Sequence, residues 1–294
     1  MSNTFKRVVG LACVGMMGWL LSGCSPVRML NGLTPTSSFD KTSDIAYGAA
    51  PRQTLDIYRP KQPAPGAPVV VFFYGGSWNS GSRSDYLFVG EALASRGITT
   101  VIADYRLYPQ VRYPEFLVDS AQAVGWTYQH IAEYGGNPQR LYLMGHSAGA
   151  YNVAMLALDA QWLKAAGLSP ASVRGWIGLA GPYDFLPIKD EAVRPVFFYP
   201  DSPPESQPIR HVSQEAPPAL LMAAQSDTLV NPARNTGGLA NALRKTGVPV
   251  RELYFSRTSH VTLVAALSRP LRWLAPVLDN VSEFVLSSRP GQTP

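Results

Sequence analysis

Residues 141–149 have the sequence Leu-Tyr-Leu-Met-Gly-His-Ser-Ala-Gly, which carries the strongest indication of the fold. Its first four residues form an apolar run typical of a buried strand, and a helical pattern begins at Ala148, inside the G-x-S-x-G turn. Such a turn holds its central serine, Ser147, above the edge of a sheet, and its two glycines let neighbouring backbone pass without a clash. We therefore predict that Ser147 is a nucleophile. The alternative is a Ser-Gly pair that only caps the following helix.

Strand and helix patterns alternate on both sides of this turn in a chain of 294 residues. Apolar residues make up 46% and charged residues only 15% of the chain, a balance that excludes extensive disorder and predicts a buried core. Alternating β and α elements predict an α/β fold with a mostly parallel central sheet and helices on both faces. Predicted strands cover residues 53–58, 69–73, 98–103, 140–144, 176–179, 219–224 and 250–255, and predicted helices cover residues 82–96, 114–134, 148–159, 232–246 and 270–286.

The stretch from residue 183 to residue 218 lacks a clear strand and is too long for an ordinary connection. We predict that it is a small cap insertion over the active site, because ligands of open α/β sheets bind at the carboxyl ends of the strands. Its aromatic residues either line an acyl or aryl pocket or pack in the core: Phe185, Phe197, Phe198 and Tyr199. The folded domain is predicted over residues 44–287, followed by a C-terminal tail over residues 288–294.

A serine hydroxyl needs a neighbouring base, and the chain offers four histidines. His260 follows the last predicted strand, at the sheet edge where the serine also lies, and is the predicted base. His211, in the insertion, is the alternative. His130 lies inside a predicted helix, and the side chain of His146 should diverge from that of Ser147.

The base in turn needs a carboxylate that fixes its tautomer and stabilises its charged form. Asp227 follows the predicted strand at residues 219–224 and lies between the serine and the histidine in chain order, so it is the predicted acid. Asp184, after the preceding strand, is the alternative. Either aspartate also fits the simpler description of a cap or turn residue.

A turn rich in glycine, Tyr74-Gly75-Gly76-Ser77-Trp78, follows the predicted strand at residues 69–73. Backbone N–H groups exposed at a strand end can stabilise the negative oxygen of a tetrahedral acyl intermediate. We predict such an oxyanion hole from the N–H groups of Gly75, Gly76, Ser77 and Ala148. The alternative is an ordinary turn.

The order Ser147, Asp227, His260, the GHSAG turn and the Gly-Gly-x-Trp turn together resemble the α/β-hydrolase superfamily. The nearest likeness is to the esterase branch with an HGGxW oxyanion turn, which includes carboxylesterases and kynurenine-formamidase-like enzymes. The stretches Asp-Tyr-Arg-Leu at 104–107, Tyr-Gly-Gly-Asn-Pro at 134–138 and Gly-Pro-Tyr-Asp at 181–184 are also similar. One position departs from this pattern: Tyr74 stands where the family has a histidine that braces the loop.

The resemblance implies a serine hydrolase that cleaves small-molecule carboxylic esters through an acyl-enzyme and needs neither a metal nor an organic cofactor. Short-chain or small aromatic acyl groups are the expected substrates. Two alternatives remain at this stage. The same residues serve an amide or formamide hydrolase, and a non-catalytic binding protein of the cell envelope could share the fold.

Residues 1–23 have the pattern of a secretory signal, with Lys6 and Arg7 before an apolar stretch over residues 8–21. The ending Leu-Ser-Gly-Cys24 resembles the bacterial lipobox, in which the cysteine is lipidated and becomes the new N-terminus. We predict a lipoprotein signal peptide over residues 1–23, lipidation of Cys24, and a flexible tether over residues 24–43. A plain signal peptide or a buried helix is the alternative.

These features predict where the protein lies and what it contacts. Ser25, after the lipidated cysteine, resembles the signal of lipoproteins sorted to the outer membrane, so we expect a lipid anchor in the bacterial cell envelope, facing the periplasm. No disulfide is expected, because Cys13, the first of two cysteines, lies in the leader and Cys24 carries the lipid. The formal net charge is +5 without a basic run beyond pairs, which disfavours nucleic-acid binding. No pattern indicates the oligomeric state.

Overall fold

The computed structural model describes residues 29–287, and the predicted signal peptide, Cys24 and the C-terminal tail lie outside them. Eight strands form one sheet. In chain order they are β1 (Phe39–Ala46), β2 (Thr54–Pro60), β3 (Ala67–Phe73), β4 (Thr99–Ala103), β5 (Gly136–His146), β6 (Gly175–Leu179), β7 (Ala219–Ala224) and β8 (Val250–Phe255).

The sheet has the strand order β1-β2-β4-β3-β5-β6-β7-β8. The pairs β1–β2 and β2–β4 are antiparallel, and every other neighbouring pair is parallel. All residues of β3, β4, β6 and β7 are buried, because helices cover both faces of the sheet. The predicted mostly parallel α/β sheet is thus confirmed.

Seven α-helices are described between residues 29 and 287. They are α1 (Leu87–Ala94), α2 (Glu115–His130), α3 (Ala148–Leu158), α4 (Ala160–Ala165), α5 (Gly238–Lys245), α6 (His260–Ala265) and α7 (Val277–Ser287). None of the helices in this part of the chain is long and apolar enough to cross a membrane.

Three predicted helices are shorter or more divided than their periodicity suggested. The helix predicted at 82–96 begins with a 3₁₀ turn, Arg83–Tyr86, and the one predicted at 232–246 begins with π-helical residues, Ala233–Gly237. The helix predicted at 270–286 is interrupted at Ala275, which is extended, with φ −162° and ψ 146°. Ala275 precedes a proline, and a residue in that position avoids the helical region.

The predicted tether was wrong in its C-terminal part, because the sheet begins at Phe39 rather than after residue 43. Strand β1 pairs along its length with β2, from Phe39 opposite Pro60 to Ala46 opposite Thr54. Phe39 is buried, and its ring lies 5.3 Å from that of Tyr58. Most other residues of β1 are exposed, as expected for an edge strand with one neighbour, so the strand carries almost no apolar signal.

The predicted cap region, residues 183–218, contains three 3₁₀ helices, Arg194–Phe197, Pro204–Ser206 and Pro208–His211. Its four aromatic residues take different positions. Phe197 is fully buried among other rings and belongs to the core, whereas Phe198 and Tyr199 are exposed. Among these four, Phe185 alone lines the pocket described below.

Candidate active site

The turn that carries Ser147, the predicted nucleophile, lies between β5 and α3 and is called the elbow below. Ser147 has φ 53° and ψ −121°, a conformation that a residue with a side chain rarely adopts. A Cβ atom on Gly145 would lie 2.2 Å from the carbonyl oxygen of Gly149, and one on Gly149 would lie 2.0 Å from that of Phe73. Both glycines of the motif are therefore required by close backbone contacts, and they keep the strained serine in place.

Ser147, His260 and Asp227 form a continuous hydrogen-bonded line. The Nε2 atom of His260 lies 2.8 Å from the Oγ of Ser147, and its Nδ1 atom lies 2.7 Å from the Oδ2 of Asp227. The other carboxylate oxygen, Oδ1, accepts the N–H groups of Leu229 and Val230 at 2.9 and 3.0 Å. Burial by itself raises the pKa of Asp227, but the hydrogen bonds from His260 and from these N–H groups leave it below the ordinary value.

The alternative residues are engaged elsewhere. Asp184 forms two hydrogen bonds of 3.0 Å with the guanidinium of Arg234, an ion pair that the sequence did not indicate. His211 contacts the carbonyl oxygen of Glu205 at 2.6 Å, and His130 lies on the surface beside an acidic residue of its own helical segment. None of the three touches the elbow serine.

His146, the residue before the nucleophile, turns away from Ser147 and reaches the loop that carries the base. Its Nε2 atom lies 2.9 Å from the backbone carbonyl oxygen of His260. Burial, followed by the proximity of His260, lowers the pKa of His146 to about 3. Sequence reasoning missed this contact, because the two residues are 114 positions apart and only the fold brings them together.

The turn after β3 faces the elbow. Three consecutive residues have positive φ, namely Gly76 (132°), Ser77 (50°) and Trp78 (58°), so the chain folds sharply back. A Cβ atom on Gly75 would lie 2.8 Å from the Cβ of Ser147, which shows how closely the two turns approach. Glycine at position 75 therefore lets the turn reach the nucleophile.

Two of the four residues predicted as oxyanion donors lie at the pocket. Ser77 and Ala148 line the pocket beside the nucleophile. The N–H groups of Gly75, Gly76, Ser77 and Ala148 remain the predicted donors.

Tyr74, the first residue of the turn after β3, is fully buried and is anchored by its hydroxyl. Its hydroxyl donates to Oδ1 of Asp104 at 2.6 Å and accepts from Nη2 of Arg52 at 2.7 Å. Its ring is stacked between those of Tyr86 and Tyr105, at centroid distances of 5.6 and 5.1 Å. Burial, and then the Asp104 carboxylate, raise the pKa of Tyr74 well above its ordinary value, so the hydroxyl keeps the proton that it donates.

A pocket of about 550 Å³ opens above Ser147 and His260. Its polar groups include the Asp184–Arg234 pair. Its apolar wall consists of Trp78, Phe185, Ile188, Val193, Leu229 and Val230.

These features define a class of protein. A serine elbow after β5, an acid after β7 and a histidine after β8, on a mostly parallel eight-stranded sheet, are the arrangement of an α/β hydrolase. Solved structures agree on the fold: an esterase from Pyrobaculum calidifontis superposes with a TM-score of 0.72 at 20% identity, covering 89% of each chain.

The chain belongs to the BD-FAE family, whose model matches residues 55–243. A probable isoprenylcysteine alpha-carbonyl methylesterase of Arabidopsis thaliana is 30% identical over 251 residues, which are 78% of this chain and 52% of that protein. Esterase LipQ of Mycobacterium tuberculosis is 31% identical over 273 residues, 85% of this chain and 64% of that protein. The chain thus spans about half to two thirds of the length of these relatives.

Proposed function

We propose that this protein is a serine hydrolase of carboxylic esters. The observation that carries the proposal is the line from Ser147 to His260 to Asp227, with distances of 2.8 and 2.7 Å, at the base of an open pocket. The names of several relatives support it, since LipQ is called an esterase and a second relative, LipM, a probable carboxylic ester hydrolase.

In the first half of the reaction, Oγ of Ser147 attacks the ester carbonyl carbon while Nε2 of His260 takes the hydroxyl proton. Asp227 holds the Nδ1–H of the imidazole and stabilises its positive charge. The carbonyl oxygen becomes negative and is held by the N–H groups of Ser77 and Ala148, with that of Gly76. His260 then gives its proton to the leaving alcohol, and the acyl group remains on the serine.

In the second half, water takes the place of the alcohol. His260 accepts a proton from the water, whose oxygen attacks the acyl carbon, and the acid leaves as the serine regains its proton. Each proton removed is returned, so the residues of the chain complete the cycle unchanged.

We propose that short-chain or small aromatic acyl esters are the preferred substrates. Trp78 and Phe185, whose ring centroids are 6.2 Å apart, belong to the apolar wall of the pocket, which suits a small aromatic or aliphatic group. A long acyl chain would extend beyond this wall, and each methylene left in water forfeits about 0.8 kcal/mol of burial.

The function is tested with a fluorophosphonate probe and a series of chromogenic esters of increasing acyl length. The expected result is stoichiometric labelling of the wild type and turnover that is highest for acyl groups of roughly two to six carbons. Ser147→Ala should abolish both. Matched anilides test the amide alternative. A folded wild type that neither labels nor hydrolyses any activated ester would contradict the proposal.

We also propose that the protein is a lipoprotein of the bacterial envelope, anchored through Cys24 at the outer membrane. The support is the leader pattern of residues 1–23 and the Leu-Ser-Gly-Cys ending. The wild type should fractionate with membranes and incorporate labelled fatty acid, and Cys24→Ser should block this labelling. A wild type that stays wholly soluble and unlabelled would refute this location.

A further inference from the structure

His146 is a buried, titratable residue that the proposed reaction does not use. It is the last residue of β5 and only 5% exposed. Its Nε2 atom lies 2.9 Å from the carbonyl oxygen of His260, and the two imidazole rings are 5.0 Å apart. The strand end that presents the nucleophile therefore also contacts the main chain of the base.

The contact determines the tautomer of His146. A carbonyl oxygen can only accept a hydrogen bond, so the proton of a neutral imidazole must be on Nε2. The other nitrogen, Nδ1, is buried and has no hydrogen-bond partner within residues 29–287. It lies against the oxyanion turn, because a Cβ atom on Gly75 would be 3.1 Å from it.

We propose that His146 is a positioning residue, whose Nε2–H holds the backbone of His260 at the distance from Ser147 that proton transfer requires. This inference rests on the proposed hydrolase function. Asp227 fixes the orientation of the His260 ring, since its carboxylate accepts from the ring rather than from the main chain. His146 restrains the main chain itself, and it does so from the residue adjoining the nucleophile.

Apart from the His146 contact and the two hydrogen bonds of the His260 ring, the side-chain hydrogen bonds shown at this helix start, within residues 29–287, are local. Ser259 and Thr262 form a capping box, in which the Ser259 hydroxyl accepts the Thr262 N–H and the Thr262 hydroxyl accepts the Ser259 N–H. These bonds order the first turn of α6, yet they join residues three positions apart and do not connect the helix to the sheet. The His146 contact joins α6 to the end of β5 and so couples base to nucleophile.

The proposal is tested with substitutions of His146 whose side chains carry an N–H donor at different distances from the main chain, or carry none. In His146→Gln the amide N–H extends about as far as Nε2, in His146→Asn it does not, and His146→Leu has no donor. We expect kcat to fall about 10- to 100-fold for Leu and Asn with little change in KM, and Gln to retain kcat within about threefold of the wild type. His130→Gln, an exchange at an exposed histidine far from the elbow, is the matched control.

Thermal unfolding of each variant separates positioning from folding. If the Leu variant does not fold, the comparison of Gln with Asn decides, since both carry the same polar group. The proposal is overturned if Gln is as impaired as Asn, or if Asn or a folded Leu variant has the wild-type kcat. A rise in KM that accounts for the whole loss would also overturn it.

The tautomer of His146 can be measured in the wild type, without any substitution and without an activity assay. In protein labelled with ¹⁵N-histidine, His146 should be neutral and protonated at Nε2 between about pH 5 and about pH 9. A proton on Nδ1, or titration within that range, would overturn the inference while leaving the hydrolase function intact. An inactive wild type with the expected tautomer would instead contradict the function alone.

Discussion

Replacement of Asp227 by asparagine should reverse the tautomer of the catalytic histidine. Oδ1 of Asp227 accepts two backbone N–H groups, from Leu229 and Val230. In Asp227→Asn only the amide oxygen can accept those two bonds, so the NH₂ group must take the position of Oδ2, facing Nδ1 of His260. Nδ1 then has to accept, and the imidazole proton moves to Nε2, where it points at Ser147.

A histidine protonated at Nε2 cannot take the serine proton, so the first step of the reaction fails. Triads that lose their acid in this way lose about 10⁴ in rate, which corresponds to about 5 kcal/mol of transition-state stabilisation. The fold should be little affected, because the asparagine retains both backbone contacts. We expect kcat/KM for a short chromogenic ester to fall by about four orders of magnitude and the melting temperature by a few degrees.

The assay needs a carboxylate control in the same pocket. Asp184→Asn weakens the ion pair with Arg234 but leaves the hydrogen-bonded line from serine to acid untouched. We expect it to lower kcat/KM by less than about tenfold. An Asp227→Asn enzyme within tenfold of the wild type, or an Asp184→Asn enzyme with the greater loss, would refute the reasoning.

Three further predictions concern stability and the oxyanion turn. A chain that starts at residue 44 lacks most of β1 and should unfold at a lower temperature than one that starts at residue 29; equal melting temperatures would show that the edge strand contributes nothing. Burial and the neighbouring His260 lower the pKa of His146 to about 3, against the opposing effect of Asp227, whereas the value in the unfolded chain is about 6.5. The neutral, buried imidazole therefore contributes its full stability above about pH 6.5, and this contribution is lost as the pH falls toward 3. In folded His146→Gln protein, the free energy of unfolding should therefore change less steeply with pH in this window than in the wild type, by up to about 1.4 kcal/mol per pH unit. Denaturant titrations that give the same slope for both proteins would contradict the buried neutral state. Tyr74→Phe removes the hydroxyl between Asp104 and Arg52 and should cost about 1–3 kcal/mol of stability, measured by denaturant titration, whereas no loss would show that this hydroxyl does not brace the turn.

The features that depend on neighbours along the chain could be predicted from the residues alone. Apolar runs and the glycines around Ser147 indicate a buried strand, a sharp turn and a helix, and these elements are formed within a few residues of where the pattern places them. The mostly parallel sheet followed from the alternation of elements. Asp227 and His260 could be selected because each follows a strand, and strand ends of a parallel sheet meet at one edge.

Contacts between residues that are remote in the chain became visible only in the tertiary structure. Strand β1 is polar along most of its length, and only its pairing with β2 reveals it as part of the sheet. The anchoring of Tyr74 by Arg52 and Asp104 joins three separate segments, and the contact between His146 and the backbone of His260 joins two segments across 114 positions. Periodicity in the sequence predicts which side of a helix or strand is buried. The side chain or carbonyl group that a buried residue contacts depends on the path of the whole chain, so no local sequence pattern indicates these contacts.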